Sequence, residues 1–321
     1  MWSLLFTVVL IVVTLLLYWV YQQSRRLHLP EPHLQLLTMA AEPLQTSAAI
    51  PKTIWTYWHS AEQPEVVKRC IAGWQALNPD YHIHVLNADN ITDYIRPVPD
   101  KLTRLNVAKQ TDWIRLELLN RYGGIWLDAS IILTASLDWV ERIRAEQNTE
   151  FVGYYLERYT TNVHRPVVDS WFLAAPAQSR FVADWLALFR CEVIEGDTAD
   201  YIQALSVQGR FEGLRQAISD PYYHTIHIAA QDVLERAATT YRLALLKAED
   251  SAYALQVTSN WRRKRLYMRL LFTEKDDRPA LIKLRGGERT KLESYLKWGI
   301  YRKASIAGRY LQALPEDNKV V

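Results

Sequence analysis

Residues 111–130 read TDWIRLELLNRYGGIWLDAS and pass from a helical pattern to a strand pattern. The helix is expected over 106–122, with Gly123-Gly124 as its C-cap. Residues 125–133 (IWLDASIIL) follow as one strand, apolar enough to be buried on both faces as central parallel strands are. Asp128 is the exception within it. An ionised carboxylate in such a place is costly unless a metal, an arginine or a ribose hydroxyl compensates it. Ligands of open α/β sheets bind beyond the carboxyl ends of the strands. Asp128 is therefore a site candidate, and a structural carboxylate capping the strand end is its alternative. Asp112 and Arg115, three apart, share a helix face. They form either a surface ion pair or a carboxylate and a guanidinium aimed at the crevice beside Asp128. The guanidinium fork suits a diphosphate.

Outward from this stretch, residues 53–58 (TIWTYW) are β-branched and aromatic and read as a strand. A helical spacing runs from Pro64 to Asn78-Pro79, and residues 81–86 (YHIHVL) alternate as a second strand. Further strands are expected at 151–156 and 170–174, and a helix at 181–189. Helices dominate 194–236. Strands alternating with helices argue an α/β class with a helical C-terminal part.

The residues from 50 to 140 resemble the capsular polysaccharide synthesis family of sugar transferases, and more loosely the wider DXD-containing glycosyltransferases. The resemblance rests on Ile50-Pro51-Lys52, Asn78-Pro79-Asp80-Tyr81, Thr111-Asp112-Trp113-Ile114-Arg115, and Tyr122-Gly123-Gly124-Ile125-Trp126-Leu127-Asp128. Ser170–Pro176 (SWFLAAP) and the His227 region add weaker similarity. The resemblance implies a GT-A-like, Rossmann-type nucleotide-sugar-binding sandwich. It implies a transferase, often retaining, that uses a nucleotide-diphosphate-sugar donor and a glycan or polysaccharide acceptor. It also implies Mn²⁺ or Mg²⁺ on the donor diphosphate, held by Asp128. Here the pattern departs: Asp128-Ala129-Ser130 lacks the second DXD carboxylate, which removes one hard-oxygen ligand.

On this reading Asp128 positions the donor and Arg115 stabilises the charge on the departing diphosphate. Asp112, Gly124 and Ser130 join the donor site. One of Trp55, Tyr57 and Trp58 stacks on the base, or all three are core. His227 is a candidate acceptor base, or a hydrogen-bonded core histidine. Trp171 and Asp250 are placed at the acceptor, against the readings of a core aromatic and a solvated carboxylate. Two other functions stay open. One is a catalytically weak carbohydrate-binding or scaffold subunit; the other is a sugar-phosphate transferase.

The flanks carry separate signals. Residues 2–21 hold no charge and span a hydrocarbon core as a helix, so a transmembrane anchor is expected, against the readings of a cleaved signal peptide and a buried core helix. Arg25 and Arg26 put the remainder on the cytoplasmic side, as in a bacterial inner membrane, with a Golgi lumenal orientation as the alternative. Residues 22–50 read as a Pro-punctuated linker, 51–257 as the catalytic domain, and 258–321 as a basic helical region. Fifteen Lys/Arg oppose five acids over 258–310, a local +10 that leaves −7 for the rest of the chain. The apolar residues from Leu292 to Leu311 fall near helical spacing, which suits either a bilayer surface or packing on the core. Arg262 to Arg265 are candidates for holding a diphosphate.

Composition bounds the rest. The 321 residues are 49% hydrophobic and 23% charged, which excludes a mainly disordered chain. Two cysteines exclude a disulfide framework and a cysteine zinc site. A net charge of +3 without a recognised module argues against nucleic acid.

Overall fold

The computed structural model describes residues 2–25, 31–38, 48–236, 241–273 and 279–312. Among them are nine strands: β1 (Leu34–Thr38), β2 (Thr53–Tyr57), β3 (His82–Leu86), β4 (Gly124–Leu127), β5 (Ile131–Leu133), β6 (Phe151–Tyr155), β7 (Val168–Ala175), β8 (Arg242–Lys247) and β9 (Leu281–Lys283). The helices are α1 (Trp2–Arg25), α2 (Glu65–Leu77), α3 (Val107–Tyr122), α4 (Asp138–Gln147), α5 (Arg180–Phe189), α6 (Thr198–Val207), α7 (Phe211–Arg215), α8 (Thr225–Arg236), α9 (Ala254–Thr258), α10 (Arg263–Phe272), α11 (Gly286–Lys297) and α12 (Ile306–Tyr310). The α/β class, the helical C-terminal part and the N-terminal apolar helix are all present.

Seven strands form one sheet in the order β1-β8-β6-β7-β4-β2-β3. The pairs β2/β3, β2/β4 and β6/β8 are parallel, whereas β1/β8, β4/β7 and β6/β7 are antiparallel. The sheet divides two apolar cores, because successive side chains of a strand point to opposite faces. Ile54 and Ile125 enter one core, and Trp55 and Trp126 the other. Helix α3 is buried almost all round, from Lys109 to Leu119. Asn106 caps its start by accepting from the Lys109 N–H at 3.0 Å, and Gly123 (φ +65°) ends it. A Cβ at Gly123 would stand 2.4 Å from the Ala177 nitrogen, so the chain turns into β4 only with glycine there.

Three sequence expectations change. Residues 125–133 are not one strand. β4 pairs in the main sheet, the chain turns at residues 128–130, and β5 pairs antiparallel with β9 in a second, two-stranded sheet. The Ile131 N–H bonds to the Asp128 carbonyl across this turn at 3.0 Å. Asp128 therefore sits at a strand end, which removes the cost of burying it mid-strand. Second, part of the expected linker is β1, paired along its whole length with β8. Arg26, residues 26–30 and residues 39–47 of that stretch lie outside the described residues. Third, the basic C-terminal region is no separate layer: Leu281, Ile282, Leu292, Leu296, Ile306 and Ala307 lie in the same core as Ile54 and Ile125. The expected amphipathic helix is two helices, α11 and α12, whose apolar residues are buried. The Glu293 carboxylate of α11 accepts from the N–H groups of Glu65 and Val66 at 3.0 and 2.9 Å. It supplies the cap that Pro64 cannot give α2, and so docks the helix. Lys275 and Arg278, counted in the basic region, fall outside the described residues, as does 313–321.

Candidate active site

β2 and β4 run parallel, and their carboxyl ends open on a cleft of about 790 Å³. Tyr57 and Trp58 line it from the end of β2, and Asp128, Ala129 and Ser130 from the end of β4. Helix α3 contributes Asp112 and Arg115, β7 contributes Asp169, Ser170 and Trp171, and α8 contributes His227. The fourth wall is the C-terminal part: Lys283 from β9, then Arg285 and Arg289.

Arg115 is the hub. Its Nη2 lies 3.2 Å from Asp112 Oδ1, and its Nη1 lies 3.5 Å from Asp128 Oδ1. Nη1 also donates to the Ser170 carbonyl at 2.5 Å. The guanidinium carbon lies 5.0 Å from the centre of the Trp126 ring. Asp112 and Arg115 are both buried, so theirs is no surface ion pair. Burial pushes the Asp112 carboxyl up, and Arg115 only partly offsets this.

Asp128 is held between cations. Its Oδ1 accepts from the Trp126 indole N–H at 3.1 Å, and its Oδ2 accepts from Lys283 Nζ at 2.5 Å. Burial pushes this carboxyl up, but Lys283 and Arg115 together outweigh burial and hold it below the usual carboxylate range. The register Ile131↔Lys283 explains the contact: pairing β9 with β5 sets Lys283 beside the turn that carries Asp128.

His227 is buried, and its Nε2 lies 3.1 Å from Asp169 Oδ1. A carboxylate only accepts, so Nε2 carries the proton. Nδ1 has no partner among the described residues. Asp169 also accepts from the Ser170 N–H at 2.7 Å and from the Trp171 indole. Burial pushes Asp169 up, yet these donors and the His227 charge hold it below the ordinary range. Next to it, burial and then His227 push the His224 imidazole down. A ring with a depressed folded pKa favours its neutral form. Its contribution is complete above the ordinary imidazole range and is lost as pH falls through the folded value. The Tm of the protein is thus expected to fall as the pH drops below the ordinary imidazole range. His224→Asn is expected to flatten that fall in a thermal-melt series, and an unchanged pH profile would exclude this histidine as its source.

Several candidates lie apart from the cleft. Trp55 is buried, donates to the Gly123 carbonyl at 2.8 Å and stacks on His84. Gly124 begins β4 against the Thr53 backbone, where a Cβ would stand 2.6 Å from the Thr53 oxygen. Asp250 pairs with Lys247 at 3.3 Å. Arg262 to Arg265 do not line the cleft. Trp171 does line it but is only 4% exposed, its ring tilted on Tyr154 at 4.7 Å. Asp169, Lys283 and Arg289 were not singled out from the sequence. Asp169 carried a signal like that of Asp128, a carboxylate among Val167, Val168 and Trp171. Lys283 stands alone between Leu281-Ile282 and Leu284, a pattern masked by the many charges around it.

Mn²⁺ or Mg²⁺ takes about six oxygens. Asp128 offers two, both already facing cationic side chains or an indole N–H. Ser130 stands where a second carboxylate would be. Among the described residues, no group of three or more His, Cys, Asp or Glu gathers closely enough to share an ion. These residues, so arranged, do not fit such a metal.

The chain is similar to two curated proteins. One is the O-glycosyltransferase braB of Annulohypoxylon truncatum, 29% identical over 161 residues, 43% of this chain and 37% of that protein. The other is the O-glycosyltransferase PaGT of Phomopsis amygdali, 28% identical over 144 residues, 38% and 34% of the two chains. The matches thus span little more than a third of these relatives' length. A solved galactosyltransferase, LgtC with donor and acceptor sugar analogs, is similar over 83% of this chain and 98% of its own, with a TM-score of 0.40 and 11% identity. Residues 35–191, just under half of the chain and the part that carries both the TDWIR and the YGGIWLD motifs, match the capsular polysaccharide synthesis protein family.

Proposed function

We propose that this protein is a glycosyltransferase that moves a sugar from a nucleotide-diphosphate-sugar to a hydroxyl of a glycan or polysaccharide acceptor, within a GT-A-like α/β frame. The observation that carries the reading is the cleft itself. It lies at the carboxyl ends of parallel strands, where open α/β sheets bind ligands, and its volume of about 790 Å³ suits a ligand of nucleotide-sugar size. Five cationic side chains (Arg115, Arg158, Lys283, Arg285, Arg289) face three carboxylates (Asp112, Asp128, Asp169) on its walls. That excess suits a diphosphate. The family match and the O-glycosyltransferases among the relatives support the same reaction class.

Each of the three carboxylates is engaged by a cation or by hydrogen-bond donors. None of the three is offered free as a base for the acceptor hydroxyl, which leaves the departing phosphate, or His227 Nδ1, to take its proton; transfer to the phosphate accords with a retaining course. Helix α1 is long and apolar enough to cross a membrane, and its apolar residues are exposed. In this reading it anchors the domain, and Arg302 at the foot of the domain bonds to Tyr21 near its end.

One experiment tests donor, reaction and anchor together. The full chain is extracted from membranes, purified in mild detergent and incubated with a panel of nucleotide sugars and glycan acceptors. Recovery only with detergent, and release of nucleoside diphosphate with one donor, are expected. Release of nucleoside monophosphate would indicate sugar-phosphate transfer. Binding of a glycan with no release from any donor would indicate the scaffold subunit.

A further inference from the structure

Arg289 and Arg158 differ from the other cations of the cleft: neither has an ion pair or a side-chain hydrogen bond among the described residues, and the Arg158 guanidinium lies over the rings of Tyr159, Tyr253 and Trp261. Arg115 is paired with Asp112, Lys283 with Asp128, and Arg285 with Glu288. Arg289 lines the cleft with its guanidinium carbon 4.7 Å from the centre of the Trp58 ring. Among the described residues it has no ion pair and no side-chain hydrogen bond. Burial disfavours its charged form, and Asp128 and Glu293, which lie beyond ion-pair distance, only partly offset this, so an anionic ligand in the cleft relieves it further. The ring below it holds the fork in place while leaving its N–H groups free.

Lys283 adds a second observation. The two-stranded sheet β5/β9 sets this ammonium on Asp128 Oδ2, one of the carboxylate oxygens a divalent ion would use. The fold has thus placed a fixed cation at the floor of the cleft and a stacked, unpaired one on its wall.

We propose that the charge facing the donor diphosphate is carried by the chain itself, on Lys283 and Arg289, so that donor binding does not require a divalent metal. This rests on the glycosyltransferase reading and deepens it. In the transfer step the bond from the anomeric carbon to the β-phosphate oxygen breaks with its electron pair passing to that oxygen. The acceptor oxygen forms the new bond to the carbon, and its proton goes to the phosphate. Lys283 and Arg289 offset the charge that builds on the leaving group.

The test is equilibrium binding of UDP, GDP, ADP and CDP to the detergent-solubilised full chain, measured by calorimetry in EDTA and in Mn²⁺. One diphosphate is expected to bind in EDTA nearly as well as in Mn²⁺. Arg289→Ala and Lys283→Ala should each weaken it about tenfold or more, which corresponds to ~1.4 kcal/mol. Arg289→Lys should recover part of the loss, and binding of the matching nucleoside should not change. Arg289→Ala removes a guanidinium that makes no ion pair and no side-chain hydrogen bond among the described residues, so its melting temperature should stay close to the parent and keep the comparison interpretable. Binding that appears only with Mn²⁺ and ignores both variants overturns the inference and leaves the transferase reading standing. Binding of no diphosphate under either condition overturns that reading and the inference with it.

Discussion

Asp128→Asn is expected to lower nucleotide release at least about 100-fold, the order of loss seen when one preorganised electrostatic group leaves an active site. The carboxylate does two things at once. It ends β4 by bonding the Trp126 indole, and it fixes Lys283 at 2.5 Å. Asparagine keeps the shape but turns an N–H₂ or a weak acceptor toward an ammonium, so Lys283 loses the charge that holds it. Because the folded pKa of Asp128 lies below its ordinary value, the carboxylate is ionised throughout the neutral range. Its stabilisation is complete above the ordinary carboxylate pKa and is lost only as pH falls through the folded value. The substitution therefore removes a charge that is present under assay conditions. Coupled nucleotide-release rates, with circular dichroism to confirm folding, measure the effect. Release at the parent rate would show that Asp128 is not central.

The second large effect concerns stability. Arg115→Ala is expected to cost about 3–5 kcal/mol, the range for removing one partner of a buried ion pair. Asp112 would be left buried without its guanidinium, and the Ser170 carbonyl without its donor. In a domain of this size the corresponding fall in Tm is roughly 10 °C. Arg115→Lys should fall between the two, because an ammonium keeps the charge but cannot reach Asp112 and Ser170 with one planar fork. Differential scanning fluorimetry of the three proteins reads this directly. A Tm unchanged by Arg115→Ala would mean that Asp112 and Ser170 find other partners and that Arg115 is not the hub.

The two predictions trace back to residues of different legibility. Asp128, Asp112 and Arg115 were visible because each breaks a pattern: a carboxylate among apolar strand residues, and an ion pair at helical spacing next to it. The run from Gly123 to Leu127 was legible for the same local reason, a glycine C-cap feeding a strand. Residues 125–133 look like one strand in the sequence because apolar periodicity does not say where a chain leaves one sheet for another. Trp55 and Trp58 look alike in the sequence. Strand alternation puts one in the core below the sheet, while the other lies past the strand end in the cleft.

Local chemistry decided the α/β class, the membrane-length helix and the acidic motif, since helix caps, strand periodicity and a buried charge act over a few residues. Tertiary structure alone decided what stands opposite that motif. Lys283 reaches Asp128 across 155 positions of chain, through a strand pair whose register no local signal sets. A cation in a basic stretch looks solvated until long-range packing buries its neighbours and leaves it facing a carboxylate.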